Sequence, residues 1–138
     1  MKGSKKALVL DASVLIEMAY ATELGEKAKK LIEERLAYTT ELAIAETYYI
    51  LCRKIGPNNA REKIENLLDS GYLSVLHIDP LSPGRIKCER AISLADSYVI
   101  ALARKIKGVA LFARKEKELA EETKKRGFEV DILFLEEL

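Results

Sequence analysis

Apolar residues are arranged in two ways along the chain, and each arrangement predicts a different element. Short unbroken runs, such as Ala7–Leu10 and Val109–Phe112, are typical of strands buried on both faces of a parallel sheet. Longer segments, such as Glu23–Leu36, carry apolar residues at helical spacing, which predicts amphipathic helices. Strands that alternate with helices indicate an α/β protein with a mostly parallel sheet.

The same pattern predicts where each element lies. Strands are expected over Ala7–Leu10, about 36–39, Tyr72–Ile78, Val109–Phe112 and Phe128–Leu135. Helices are expected after Asp11 and over Glu23–Leu36, Glu41–Ile55, 58–69 (capped by Asn58 or Asn59), 85–91, 93–107 and Lys115–Arg126. Because neither half is large enough to fold alone, we expect a single domain over residues 1–138.

Three acidic residues lie in segments that are otherwise apolar. Asp11 directly follows the first predicted strand, Glu46 shares a helical face with apolar neighbours, and Asp96 lies in the first turn of an almost wholly apolar helix. An unpaired buried carboxylate costs several kcal/mol or shifts its pKa, so each of these residues needs a partner.

Two kinds of partner are available to these acids. In the structural interpretation, Asp11 or Ser13 caps a helix, Ser93 and Asp96 approximate a capping box, and Glu46 pairs with an arginine or with a nearby hydroxyl, those of Tyr48 and Tyr49 being candidates. In the functional interpretation, all three acids share a divalent cation. Mg²⁺ and Mn²⁺ prefer oxygen ligands and keep several waters, so a few carboxylates suffice.

Composition narrows the possible functions. The net charge of +1 over 138 residues gives no global basic field, so any nucleic acid must be held by a local patch. One histidine and two distant cysteines, Cys52 and Cys88, argue against a zinc site; the cysteines are expected to be buried thiols. No stretch is long and apolar enough to span a membrane, and we expect a cytoplasmic protein. Phosphate-binding glycine loops and the nucleophile elbow are absent from the sequence.

Three segments together resemble the PIN-domain family, and most closely its small VapC-type toxins. They are Leu8–Ile16, Leu42–Glu46 and Ser93–Ala103, and the resemblance extends over essentially the whole chain. It implies a three-layer α/β/α sandwich around a mostly parallel sheet of about five strands. It also implies a metal-dependent endoribonuclease that hydrolyses RNA phosphodiester bonds, acting as the toxin of a toxin–antitoxin pair.

The resemblance also implies which residues form the site. Asp11, Glu46 and Asp96 match the family's metal-binding acids, which hold Mg²⁺ or Mn²⁺. Ser13 matches a small hydroxyl residue beside them, and it is expected to take part in catalysis by orienting a water or a phosphate oxygen. The family's fourth acid usually stands in a Thr-x-Asp setting after the strand equivalent to Val109–Phe112.

In this chain the segment after that strand reads Ala-Arg-Lys-Glu-Lys-Glu over 113–118, so the usual threonine and aspartate are absent. We expect Glu116 to take the place of the missing acid and Glu118 to face solvent. One cation is then expected between Asp11 and Asp96, with a weaker or empty second position near Glu116.

The expected partners follow from the same resemblance. RNA phosphates would be held by Arg104, Lys105, Arg114 and Lys115, which otherwise form a solvated basic face. A small antitoxin is expected to bind the protein, and a homodimer is expected through the helices of residues 41–69, which carry more apolar residues than one buried face needs. The altered segment 113–118 motivates an alternative, a catalytically weakened module that binds RNA or a partner protein without cutting.

Overall fold

Five parallel strands form the central sheet of the protein, described here from a computed structural model over residues 5–138. The strands, in chain order, are β1 (Leu8–Leu10), β2 (Ala37–Thr40), β3 (Ser74–Leu76), β4 (Val109–Phe112) and β5 (Asp131–Phe134). Their order across the sheet is β3-β2-β1-β4-β5. Strand β1 is therefore central, which explains why every one of its residues is apolar and buried.

Seven α-helices cover the two faces of the sheet within the described part of the chain. They are α1 (Ala12–Ala19), α2 (Glu23–Glu34), α3 (Glu41–Ile55), α4 (Pro57–Asp69), α5 (Leu81–Glu89), α6 (Leu94–Ile106) and α7 (Lys117–Lys125), followed after β5 by a 3₁₀ turn over Leu135–Glu137. Since neighbouring side chains of a strand point to opposite faces, Leu8 and Leu10 join one apolar core and Val9 joins another. The predicted three-layer α/β architecture is confirmed.

Several element boundaries differ from the sequence prediction. Helix α4 begins at Pro57 after Gly56, without a side-chain cap from Asn58 or Asn59, because proline fits the first helical position, where no N–H partner is needed. Helix α5 begins at Leu81 rather than near residue 85, with Pro83 tolerated in its first turn.

The two edge strands are shorter than the apolar runs that predicted them. Strand β3 covers only Ser74–Leu76, the three residues that pair with β2, and β5 covers only Asp131–Phe134, which pairs with all of β4. Phe128 and Leu135 are fully buried on either side of β5. These two apolar residues pack into the core and do not extend the strand.

Helix α7 begins at Lys117 and not at Lys115, so Glu116 is its N-cap residue with extended backbone. Both cysteines are free, as expected, but Cys88 is exposed and Cys52 is only half-buried. Within residues 5–138, no helix has the length and apolar character needed to cross a membrane.

The hairpin of α3 and α4 has a small apolar core of its own. Leu51, Ala60 and Ile64 are buried there, packed against partly buried residues that include Ile44, Tyr48 and Leu68. Much of the apolar surplus that motivated a dimer through this region is therefore used inside the hairpin. Tyr49 remains 44% exposed, and the dimer stays a prediction.

Gly25 sets the distance between α1 and α2. A Cβ atom at this position would lie 2.2 Å from the carbonyl oxygen of Glu17 and 3.0 Å from the Cα of Met18, so the two helices would have to move apart. We expect Gly25→Ala to lower the free energy of unfolding by about 1–3 kcal/mol through overpacking, measured by chemical denaturation. Gly84→Ala is the matched control, because Gly84 is also helical and has no atom near its added Cβ. Equal stability of the two variants would contradict this account.

Candidate metal site

The candidate site lies at the carboxyl edge of the sheet, where the neighbouring strands β1 and β4 end. Asp11 follows β1, and Glu116 follows β4 after a short connection. Because β1 and β4 are parallel, with Leu10 beside Leu111, both residues emerge at the same edge. Asp96 reaches this edge from the first turn of α6, which packs against both strands.

Asp11 is held firmly by its local structure. It is the N-cap of α1, where its Oδ2 accepts the backbone N–H of Ser13 at 3.0 Å, and its own N–H donates to the carbonyl of Leu111 at 3.0 Å. The residue is only 5% exposed. The capping interaction predicted from the sequence is present. It orients the Asp11 carboxylate and does not exclude a role for this residue in the candidate site.

One of the two hydrogen bonds of the expected capping box is present at Asp96. The hydroxyl of Ser93 accepts the backbone N–H of Asp96 at 3.0 Å, which fixes the first turn of α6. Asp96 is 4% exposed, although no described lysine or arginine forms an ion pair with it. The fold therefore buries a carboxyl group without supplying a positive side chain.

Asp11, Asp96 and Glu116 come together in one cluster. Each offers a carboxylate oxygen, and the three oxygens lie within 4.8 Å of one another, with Asp11 and Asp96 buried and Glu116 exposed. A weaker or empty second cation position was expected near Glu116 from the sequence. In the structure the Glu116 carboxylate lies in the same group of oxygens as those of Asp11 and Asp96, and the second cation position stays a prediction.

The electrostatics of the cluster favour a proton when no cation is bound. Burial, a hydrogen bond and negative charge from Glu116, and the charge of Asp11 together raise the pKa of Asp96 to about 9. Burial and the charges of Asp11 and Glu116 also raise the pKa of Glu46. Both shifts have the same origin, because buried like charges disfavour ionisation.

Glu46 lies beside the cluster without belonging to its three-oxygen group. It is half-buried on α3, and it is near enough to Asp11 and Glu116 for their charges to contribute to its raised pKa. Among residues 5–138 it forms neither an ion pair with an arginine nor a hydrogen bond with Tyr48 or Tyr49, the partners that the structural interpretation offered. Its position suits a residue that holds a metal-bound water.

Ser13 connects the two strands that carry the site. Its hydroxyl accepts the backbone N–H of Ala113 at 3.1 Å, immediately after β4. The serine therefore ties the start of α1 to the segment that leads to Glu116.

Glu118 lies outside the cluster, as the sequence analysis expected. It is exposed in the first turn of α7 and lines a separate surface depression with Ser93 and Glu121. Glu116 and Glu118 are thus two exposed glutamates, two residues apart, of which only Glu116 joins the buried aspartates.

The four basic residues predicted to hold RNA separate into two pairs. Arg114 and Lys115 directly precede Glu116, and the Arg114 guanidinium pairs with Glu17 at 2.8 Å. Arg104 and Lys105 lie in the last turn of α6, at the opposite end from Asp96. They are tied to backbone carbonyls there: Arg104 donates to Phe128 at 2.6 Å, and Lys105 donates to His77 at 3.4 Å. The structure does not bring this second pair to the acids.

Sequence analysis missed Glu17 and Glu136, which contact the segment before Glu116. Glu17 binds the Arg114 side chain, and Glu136 accepts the backbone N–H of Lys115 at 2.7 Å. The sequence carries part of the signal for Glu136, because this residue follows the last predicted strand and parallel strands end at the same edge of a sheet. Only the structure shows that β5 lies beside β4.

The residues present fit a hard divalent cation. The cluster offers carboxylate oxygens only, the ligand type that hard cations such as Mg²⁺ and Mn²⁺ prefer. Glu116 is exposed, so solvent reaches the cluster and water can complete the coordination. The cluster also lacks positive charge, because no described basic side chain pairs with its three acids. A cation would supply that charge.

The fold and the cluster together define an α/β protein with an acidic site at the carboxyl edge of a parallel sheet. A family model for the PIN domain matches residues 8–121, and the chain belongs to that family. PIN domains are generally nucleases. No curated protein matches the sequence.

Solved structures show the same fold at low sequence identity. The chain is similar to a DNA-bound VapBC from Salmonella typhimurium (TM-score 0.71, 17% identity, covering 94% of this chain and 98% of that chain). It is also similar to VapC20 of Mycobacterium tuberculosis, a toxin that cleaves the sarcin–ricin loop (TM-score 0.64, 20% identity, 83% and 94%). A toxin–antitoxin complex from Klebsiella pneumoniae is a third relative in structure (TM-score 0.63, 14% identity, 93% and 97%).

The raised pKa of Asp96 predicts how stability depends on pH without metal. The pKa of Asp96 in the folded protein, about 9, exceeds the ordinary value of 3.8. The folded state therefore binds this proton more tightly than the unfolded state does. The stability that results is fully present below pH 3.8 and is lost as the pH rises toward 9. In EDTA, Asp96→Asn should therefore be more stable than the native protein by about 1–3 kcal/mol near neutral pH. Denaturant unfolding across this pH range measures the difference.

The control for this prediction is Asp69→Asn, since Asp69 is exposed at the end of α4. The stability difference between this variant and the native protein should change with pH much less than that of Asp96→Asn. A stability difference for Asp96→Asn that does not grow with pH would contradict the proposed repulsion within the cluster.

Proposed function

We propose that the protein is a metal-dependent endoribonuclease that hydrolyses RNA phosphodiester bonds and acts as the toxin of a toxin–antitoxin pair. The observation that carries this proposal is the convergence of Asp11, Asp96 and Glu116, within 4.8 Å, at the carboxyl edge of the sheet of a PIN-family protein. Buried carboxylates without basic partners are costly, which supports a role that requires them.

Each residue has a distinct role in this proposal. Asp11 and Asp96 hold the cation from rigid, capped helix starts, and Glu116 completes the oxygen set from the exposed side. Glu46 holds a water, and Ser13 keeps the connection after β4 in place. When bound, Mg²⁺ or Mn²⁺ supplies a water of lowered pKa and stabilises negative charge on the scissile phosphate.

Arg114 is the basic residue best placed to contact substrate phosphates. It is two residues from Glu116, and its side chain is 62% exposed although it pairs with Glu17. An exposed guanidinium can bind a phosphate oxygen in place of, or together with, a carboxylate. Arg104 and Lys105 are not used in this proposal because they lie at the other end of α6.

The proposed partners are an RNA substrate, a small antitoxin and a second copy of the chain. Structural similarity to VapBC and to another toxin–antitoxin complex supports the antitoxin. The half-exposed Tyr49 on α3 supports a dimer through α3 and α4, and a cytoplasmic location agrees with these partners.

A second candidate function is a module that binds RNA or a protein without cutting. It is favoured by the exposure of Glu116 and by the loss of the family's Thr-x-Asp setting. In that case the cluster would be a remnant, with Asp96 kept protonated.

Cleavage of a labelled single-stranded RNA distinguishes the two functions. We expect cleavage with Mg²⁺ or Mn²⁺ and none with EDTA. Asp11→Asn should reduce the rate at least about 100-fold, since it removes a direct ligand. Glu116→Gln should reduce the rate about 10- to 100-fold, and the matched variant Glu118→Gln should leave it unchanged. Cleavage that persists in EDTA, or that Asp11→Asn does not affect, would exclude the proposed mechanism.

The dimer is tested by light scattering at micromolar protein concentration. We expect the mass of two chains for the native protein and of one chain for Tyr49→Asp, because a charge would be buried at the interface. Val75→Asp is the control, since Val75 is similarly exposed on the edge strand β3 and lies outside α3 and α4. A monomeric native protein would refute the dimer.

A further inference from the structure

Among the three acids of the cluster, Glu116 has the least support from its own local structure. Glu116 is the N-cap residue of α7, and its side chain forms no cap hydrogen bond. Unlike Asp11 and Asp96, it is exposed. Apart from its hydrogen bond with Asp96, the position of its carboxylate therefore depends on the contacts that hold the backbone of residues 113–116.

Glu136 contacts this backbone at two points. Its own N–H donates to the carbonyl of Ala113 at 3.1 Å, and its carboxylate Oε1 accepts the N–H of Lys115 at 2.7 Å. The second bond is charge-assisted and short, which makes it the stronger of the two. Glu136 thus fixes the residue immediately before Glu116.

The turn that carries Glu136 is itself well anchored. Leu135 is fully buried in the core beside α1 and α2, and the carbonyl of Leu138 accepts a hydrogen bond from Lys27 of α2 at 2.9 Å. A turn held at both ends can act as a rigid support for the neighbouring connection.

We propose that Glu136 is a positioning residue of the metal site: it holds the Lys115 backbone so that the Glu116 carboxylate stands beside Asp11 and Asp96. This inference rests on the proposed function and deepens it. The C-terminal turn thereby supports the acid that replaces the family's usual aspartate. In this role Glu136 acts through the hydrogen bond that its Oε1 accepts, and not through direct attraction of the cation by its charge.

A calorimetric titration with MnCl₂ tests this role with three variants. Glu136→Ala loses the acceptor, so its Mn²⁺ affinity should fall roughly three- to tenfold, the size expected for one lost hydrogen bond. Glu136→Gln keeps a carbonyl acceptor at the same place without the charge and should stay within about twofold of the native affinity. Glu137→Ala, at the adjacent exposed position, should bind Mn²⁺ as the native protein does.

A double-mutant cycle separates positioning from a general structural effect. In a Glu116→Gln background, Glu136→Ala should weaken Mn²⁺ binding no further, because the carboxylate that it positions is already gone. Equal affinity of Glu136→Ala and the native protein would overturn the inference, as would an equal loss in both backgrounds. An equal loss in Glu136→Gln and Glu136→Ala would also overturn it, because charge and not position would then be responsible.

The outcome for the native protein separates this inference from the proposed function. If the native protein binds Mn²⁺ and Glu136→Ala binds it equally well, only the role of Glu136 fails. If the native protein binds no Mn²⁺, the metal site fails and the role of Glu136 fails with it.

Discussion

The parallel pairing of β1 with β4 is the constraint on which the site depends. The register that places Leu10 beside Leu111 is extended by the hydrogen bond from the Asp11 N–H to the Leu111 carbonyl. Asp11 and the connection after β4 therefore lie side by side at the carboxyl edge of the sheet. Helix α6, packed on both strands, brings Asp96 to the same place. The apolar cores on the two faces of the sheet keep this register, since a shift by one residue would turn buried side chains toward the wrong face.

The same arrangement creates an electrostatic conflict that a cation would relieve. The fold gathers carboxylates from three separate elements and, among the described residues, pairs none of them with a basic side chain. Elsewhere the protein does pair a buried acid: Glu122 of α7 binds Arg90 at 2.9 Å, and both side chains are almost completely buried. That pair ties α7 to the loop after α5. The contrast indicates that the absence of a basic partner is a property of the acid cluster and not of every buried acid in the protein.

The sequence predicted the features that local patterns determine. Buried strands, their order in the chain and the position of Asp11 after β1 follow from unbroken apolar runs, and Asp96 stands out because α6 is otherwise apolar. The three-layer fold is confirmed, and the Glu116 carboxylate lies in one cluster with those of Asp11 and Asp96. The metal-binding roles of these residues remain proposals.

Features that depend on contacts between distant segments could not be predicted from the sequence. Arg104 resembles a substrate-binding residue in sequence, yet the direction of α6 carries it away from the acids and onto the Phe128 carbonyl. Glu136 looks like one of many charged residues near a terminus, and only the pairing of β5 with β4 reveals its contact with Lys115. The shortened strands β3 and β5 have the same cause, because their length is set by the partner strand and not by their own apolar residues.

Binding of a divalent cation at the acid cluster is measured most directly by the anomalous difference density of a crystal grown or soaked with Mn²⁺. We expect one strong peak bounded by the carboxylates of Asp11, Asp96 and Glu116, and loss of that peak in a crystal of Asp11→Asn prepared in the same way. A native crystal with no peak at the cluster, or with Mn²⁺ bound only at other acidic groups, would contradict the claim that this site holds a divalent cation.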